Sequence, residues 1–149
     1  MRNQPAHLDG YGALREREHA DCVICSPRNQ RGLGLDFTLR ADGSVRAEFA
    51  CREEYVGYPG RLHGGVISAI LDGAMTNCLF AHGIVAYTAE LTVRYRHSVE
   101  IGTPVTVTAW LEKSRGSLHI LRSEIVQAGT IRVTGASKFL DTSRAGPAR

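Results

Sequence analysis

Apolar and polar positions alternate along residues 33–49. Leu33, Leu35, Phe37 and Leu39 are interleaved with Gly34, Asp36, Thr38 and Arg40, and Val45, Ala47 and Phe49 with Arg46 and Glu48. Ala41-Asp42-Gly43-Ser44 between the two runs carries turn chemistry, so the stretch predicts a hairpin. Glu54 to Leu62 holds two glycines and a proline and reads as a loop. From His63 the period changes. Val66, Ile67, Ala69, Ile70, Leu71, Ala74, Met75, Cys78, Leu79 and Phe80 cover almost every side of a helix running to about His82, with Gly83 placed to end it. A helix apolar nearly all round must be buried, yet Asp72 falls in its middle. Four β segments follow. Leu91, Val93 and Tyr95 alternate in the first, and Val105, Val107, Ala109 and Leu111 in the second. Leu118 to Ala128 and Ile131 to Leu140 meet at a Gly129 turn, and Arg115-Gly116-Ser117 joins the pair before them. Two strands, a buried helix and four strands predict the α+β class: an antiparallel sheet of five to six strands wrapped around one long helix.

A chain of 149 residues suits one domain. Residues 19–142 carry the pattern. Residues 1–18 read as an N-terminal extension in which Leu14 to His19 make one or two helical turns, and residues 143–149 as a flexible tail. Apolar residues at 43% and charged residues at 22% argue against disorder. Uncharged stretches fall short of the ~18–20 apolar residues of a membrane span, and the first residues contain no secretory apolar core. A soluble, cytoplasmic protein without membrane contact is the expectation. The net charge of +3 comes from 16 arginines and 2 lysines scattered among acidic residues, without the stripe a nucleic-acid binder needs. Cysteines 22, 25, 51 and 78 are expected to stay reduced in that setting. Cys78 reads as a core residue.

The string Tyr58-Pro59-Gly60-Arg61-Leu62-His63-Gly64-Gly65-Val66, with Leu71-Asp72 after it, resembles the hotdog-fold acyl-CoA thioesterases, most closely the phenylacetate-type branch. The likeness continues through Thr88-Ala89-Glu90-Leu91, Arg94-Tyr95 and Val99-Glu100-Ile101-Gly102. It takes in Cys22-Val23-Ile24-Cys25, with Asn29 and Gly32-Leu33 after it, near the start of the domain. The resemblance implies a hotdog fold that pairs into dimers or tetramers and hydrolyses thioesters of coenzyme A. No cofactor is implied, because the coenzyme A moiety belongs to the substrate.

Thioester hydrolysis needs a donor for the carbonyl oxygen and a base or nucleophile near the carbonyl carbon. Unpaired N–H groups at the positive end of a helix suit the first role. The resemblance assigns it to the Gly64 N–H, with Gly65 beside it, and makes Asp72 the base or nucleophile. A carboxylate on a buried helix is costly unless something requires it. Gly64 and Asp72 stand eight residues apart, about 12 Å along a helix. One thioester cannot reach both within a chain, so the site is expected between subunits of a homo-oligomer. Thr88 matches a position that places the water or the carboxylate. His63 either orients substrate or ties the helix start to backbone. Arg61, Arg94, Arg96 and the Arg115-Gly116-Ser117 turn are candidates for the coenzyme A phosphates.

Two positions depart from the family pattern. Gly73 stands where many relatives carry Glu, and Gly57 where some carry Asn or Gln. These changes keep open a non-catalytic acyl-CoA or acyl-carrier binder. A hotdog hydratase or dehydratase, using His63 and Asp72 as acid and base, is a further alternative. His19, Cys22 and Cys25, with Cys51 as a fourth, have zinc-ligand chemistry. No second CxxC or HxxxH completes an ordinary zinc module, so a packed thiol pair in a turn that closes one end of the sheet is the preferred reading and no metal is expected.

Overall fold

Helix α2 (Gly64–Ala81) is the axis of the structure, a computed structural model that describes residues 8–141. Twelve of its eighteen residues are buried, among them Ile67, Ile70, Leu71, Met75, Leu79 and Phe80. Each such large apolar side chain contributes roughly 1.5–3 kcal/mol when removed from water. Length and apolarity alone would let α2 cross a membrane, but 67% of it is buried inside the fold, as the core helix of a sheet. His63 caps its start, with Nδ1 accepting the Gly65 N–H at 2.8 Å. At its end the Ile84 N–H bonds the Leu79 carbonyl and the Gly83 N–H the Phe80 carbonyl, with Gly83 at φ 70°. That paired closure needs a residue in the left-handed region, which glycine enters without strain.

The enclosing sheet has six strands: β1 (Thr38–Leu39), β2 (Val45–Phe49), β3 (Ala86–Tyr95), β4 (Val105–Arg115), β5 (Leu118–Gln127) and β6 (Thr130–Asp141). Their order is β1-β2-β4-β5-β6-β3, antiparallel throughout. Leu121, Ile125, Val133 and Phe139 supply the inner face, each fully buried. At Gly135 the sheet comes so close to Leu71 and Ser123 that a Cβ would stand 2.5 Å from Ser123 Oγ. This is the α+β hotdog architecture expected from the alternation and the buried helix.

Two elements differ from expectation. The alternating run that begins at Leu33 becomes a strand only at Thr38–Leu39. Leu35 and Phe37 are buried as the alternation requires, but Gly34 has φ 63°, and the Leu33 and Leu35 N–H groups bond Val23 and Ile24 carbonyls instead of a strand. The cysteine loop, residues 19–26, thus takes the hydrogen bonds a first strand would have used. Secondly, the helix near the N-terminus is longer than one or two turns: α1 spans Leu8–Glu18. It lies against α2, where Tyr11 is buried and donates its O–H to Asn77 Oδ1 at 2.8 Å. Residues 8–18 therefore form part of the fold. The expected tail at 143–149 falls outside the described residues.

The cysteine loop is also inserted against α2. A Cβ built on Gly73 would lie 2.4 Å from Ile24 Cγ2 and 3.1 Å from Ile24 Cβ. Alanine normally gains about 1 kcal/mol over glycine inside a helix, but the contact reverses that preference. Gly73→Ala is expected to destabilise the chain by about 1–2 kcal/mol in urea unfolding, and the effect should shrink in the Ile24→Ala background.

Candidate functional site

The first turn of α2 opens onto a cavity of about 930 Å³. Its walls include Arg61, His63, Gly64, Gly65, Tyr95 and His97. Two crossings hold the mouth in shape. The Gly57 N–H bonds the Arg61 carbonyl, and the Leu62 N–H bonds the Val99 carbonyl, joining the loop before α2 to the β3–β4 connection. Gln127, 1% exposed, fixes that connection from below. Its Nε2 donates to the Glu100 and Thr103 carbonyls and its Oε1 accepts the Glu100 N–H, all at 2.8–2.9 Å.

No acceptor among the described residues takes the Gly64 N–H. It is an open donor at the positive end of an eighteen-residue helix, in the cavity wall. The Gly65 N–H is already committed to His63 Nδ1. His63 thus has the capping role, and it also lines the cavity. Gly57 is needed beside it, because a Cβ there would come within 3.0 Å of His63 Cα. Tyr95 completes this end. Its O–H donates to the Gly64 carbonyl at 2.8 Å and lies 2.6 Å from Ser68 Oγ, clamping the turn that carries the open N–H.

Asp72 lies two turns further on, half-buried, and is absent from the cavity wall. Thr88 donates its hydroxyl to Asp72 Oδ1 at 2.7 Å. Burial pushes the Asp72 carboxyl above the ordinary value of 3.8; the Thr88 hydrogen bond and His19 offset part of the rise, while Cys22 adds to it. Thr88 can reach α2 because β3 changes register between Thr88 and Glu90 against β6. Strict alternation from Leu91, Val93 and Tyr95 would put Thr88 on the opposite face, and the irregularity re-aims it.

Within one chain the candidate groups fall into two half-sites, Gly64 with the cavity and Asp72 with Thr88. Arg61 and Arg96 line the cavity. Arg94 instead lines a cleft of about 390 Å³ together with Trp110 and Arg122. Arg115 borders a groove of about 90 Å³ beside Lys113, next to the turn in which Gly116 has φ 59°. Ser117 gives its carbonyl to the Asp141 N–H. Sequence reasoning assigned no role to Tyr95 or Gln127. Tyr95 was signalled by its parity with Leu91 and Val93; Gln127 carried no local signal, since its partners lie 24 and 27 residues away.

The family model of the Thioesterase superfamily matches residues 59–134, from the loop before α2 to the middle of β6. The chain belongs to that superfamily. The rat (Rattus norvegicus) acyl-coenzyme A thioesterase THEM4 is 31% identical over 90 residues, covering 58% of this chain and 39% of that protein. The chain thus spans about two fifths of the length of this curated relative. A solved thioesterase superfamily protein superposes with a TM-score of 0.76 at 28% identity, over 79% of this chain and 62% of that one. The Escherichia coli PaaI protein of the phenylacetic acid degradation operon shares the fold, with a TM-score of 0.73 at 16% identity over 89% and 90% of the two chains.

The shift at Asp72 makes a thioesterase-superfamily fold of this kind sensitive to pH in a definite direction. A carboxyl with a raised pKa in the folded state binds its proton more tightly there than in the unfolded chain. Stability should therefore fall as pH rises from the ordinary value of 3.8 through the raised one. Asp72→Asn should flatten that fall and raise the unfolding midpoint at neutral pH, as read by thermal melts across a pH series.

Proposed function

We propose that this chain is an acyl-CoA thioesterase acting on a small or medium acyl- or aryl-CoA, as a homo-oligomer with its site between subunits. The arrangement that carries the reading is the open Gly64 N–H at the cavity and the carboxylate held by Thr88 two turns along the same buried helix. In this reaction water attacks the thioester carbon, and the carbonyl oxygen, turning negative, is held by the Gly64 N–H. Asp72 of the partner subunit takes the water's proton, or instead attacks the carbon itself to give an acyl anhydride that water then hydrolyses to restore the carboxylate, and Thr88 orients its carboxylate. Collapse of the intermediate expels the coenzyme A thiolate, which recovers a proton. Arg61 and Arg96 at the cavity rim are placed for phosphates.

Several features support the oligomer and the substrate. Strand β3 ends the sheet, so one of its edges has no neighbour among the described residues. Tyr87 on it is 67% exposed. Antiparallel pairing of two such edges would bring Asp72 of one α2 opposite Gly64 of the other. A Streptococcus mutans protein with this fold, 16% identical at a TM-score of 0.70, was solved bound to acetyl CoA. Solved variants of a hypothetical thioesterase from Streptococcus pneumoniae replace an Asp and a Thr sixteen residues apart, the spacing of Asp72 and Thr88. A cytoplasmic setting accords with the reduced thiols such an enzyme would carry.

Free-thiol release from short, medium, long and aryl acyl-CoAs tests the activity. Asp72→Asn should lower turnover about 10²–10⁴-fold while coenzyme A binding persists. Turnover should rise with pH through the raised Asp72 value, and Thr88→Val, which removes a hydrogen bond to the charged form, should move that limb to higher pH. Gly64→Pro deletes the donor at the first helical position, where proline is tolerated after an extended residue such as His63 (φ −61°, ψ 133°). It should cost about 10²–10³-fold in turnover with the fold intact. Mixing Gly64→Pro with Asp72→Asn subunits should restore about a quarter of wild-type activity, because half the dimers are mixed and each holds one complete site. No recovery on mixing would place both groups in one chain. Tight acyl-CoA binding without turnover would favour the binder.

A further inference from the structure

We propose that His19, Cys22 and Cys25 form a zinc site that fastens the cysteine loop to helix α2. The three ligand atoms lie within 4.8 Å of one another, drawn from seven residues of chain. Tetrahedral zinc, with Zn–S near 2.3 Å and Zn–N near 2.0–2.1 Å, separates its donors by about 3.6–3.8 Å. Cys25 Sγ and His19 Nδ1 are 3.6 Å apart. Both cysteines are free thiols, so the pair is not consumed by a disulfide.

The surroundings are built for a fixed ligand set. His19 closes α1, its N–H bonded to the Arg15 carbonyl, and its ring stands edge-on to Phe80 at 4.8 Å between centroids. The Cys22 N–H returns to the His19 carbonyl and the Ser26 N–H to the Cys22 carbonyl. The Ile24 N–H points at Cys22 Sγ from 3.3 Å, the donor a metal-bound thiolate uses. Cys25 is buried, while Cys22 and His19 are partly exposed, so an ion has a route in. Cys51, the candidate fourth ligand by residue type, lies elsewhere: its thiol points to the Phe49 carbonyl at the end of β2. Among the described residues the group has three members, which leaves the fourth zinc position to water or another exchangeable donor.

Binding releases the two thiol protons to solvent, and two thiolates then balance the charge of the zinc ion. Soft sulfur donors with imidazole favour zinc over magnesium or calcium. The site would bear on the neighbouring helix turn, since Ile24 lies between its two cysteines and packs on Gly73, beside Asp72.

Metal content of the full chain, by mass spectrometry after extensive dialysis, tests this without reference to any activity. About one zinc per chain is expected, falling at least tenfold in Cys22→Ser and His19→Asn and unchanged in Cys51→Ser. Loading with Co²⁺ should give a thiolate-to-cobalt charge-transfer band that Cys22→Ser loses. A chelator should lower the melting temperature of wild type and leave folded Cys22→Ser unmoved. Wild type that retains no zinc and develops no cobalt band, with both thiols reduced and titratable, would overturn the site. So would zinc content independent of all three residues.

Discussion

Helix α2 buries twelve of its residues and has no apolar stripe that a single neighbour could cover, so the chain must surround it. A curved antiparallel sheet provides that surround, and its curvature demands a close approach, met at Gly135 against Leu71. Enclosure cannot extend to both ends of a rod. The first turn of α2 therefore emerges at the sheet's margin, where loops from residues 53–63 and 96–104 frame it. The same burial that stabilises the helix aligns its peptide dipoles and leaves an unclaimed N–H in a cavity wall.

Asp72 shows the opposite tension. Every neighbour that makes α2 a good core helix raises the cost of ionising this carboxyl, and Thr88 relieves it only in part. A group that works against the fold at neutral pH is retained where chemistry uses it. The two candidate groups occupy one helix yet face different surroundings, one a cavity and the other a strand at the sheet's edge. That division is why the proposed function calls on a second copy of the chain.

Much of the architecture was legible in period alone. The switch from alternation to helical spacing at His63 and back after Gly83 located α2, and the Gly116 and Gly129 turns located the last hairpins. The alternation at Leu33 was misleading because burial on one side does not say which partner takes the backbone hydrogen bonds; here Val23 and Ile24 take them. The role of α1 was hidden because its sequence has little amphipathic pattern, and its attachment depends on partners distant in sequence, such as Asn77 for Tyr11. At the site, Gly64, Asp72 and Thr88 were reachable through motif resemblance. The register change that turns Thr88 inward, and the amide of Gln127 beneath the cavity rim, depend on pairings distant in sequence and could not be read locally.

The contact between Ile24 and Gly73 bears on how such a chain can diversify. A second carboxylate after Asp72 would need the volume that Ile24 now fills. Replacing Gly73 first meets a clash, and trimming Ile24 first opens a void beside the helix. Either change alone therefore costs stability, so two residues almost fifty positions apart are coupled through one contact. The room for a side chain after Asp72 is thus decided by the cysteine loop, a segment remote in sequence, and not by the helix that carries the carboxylate.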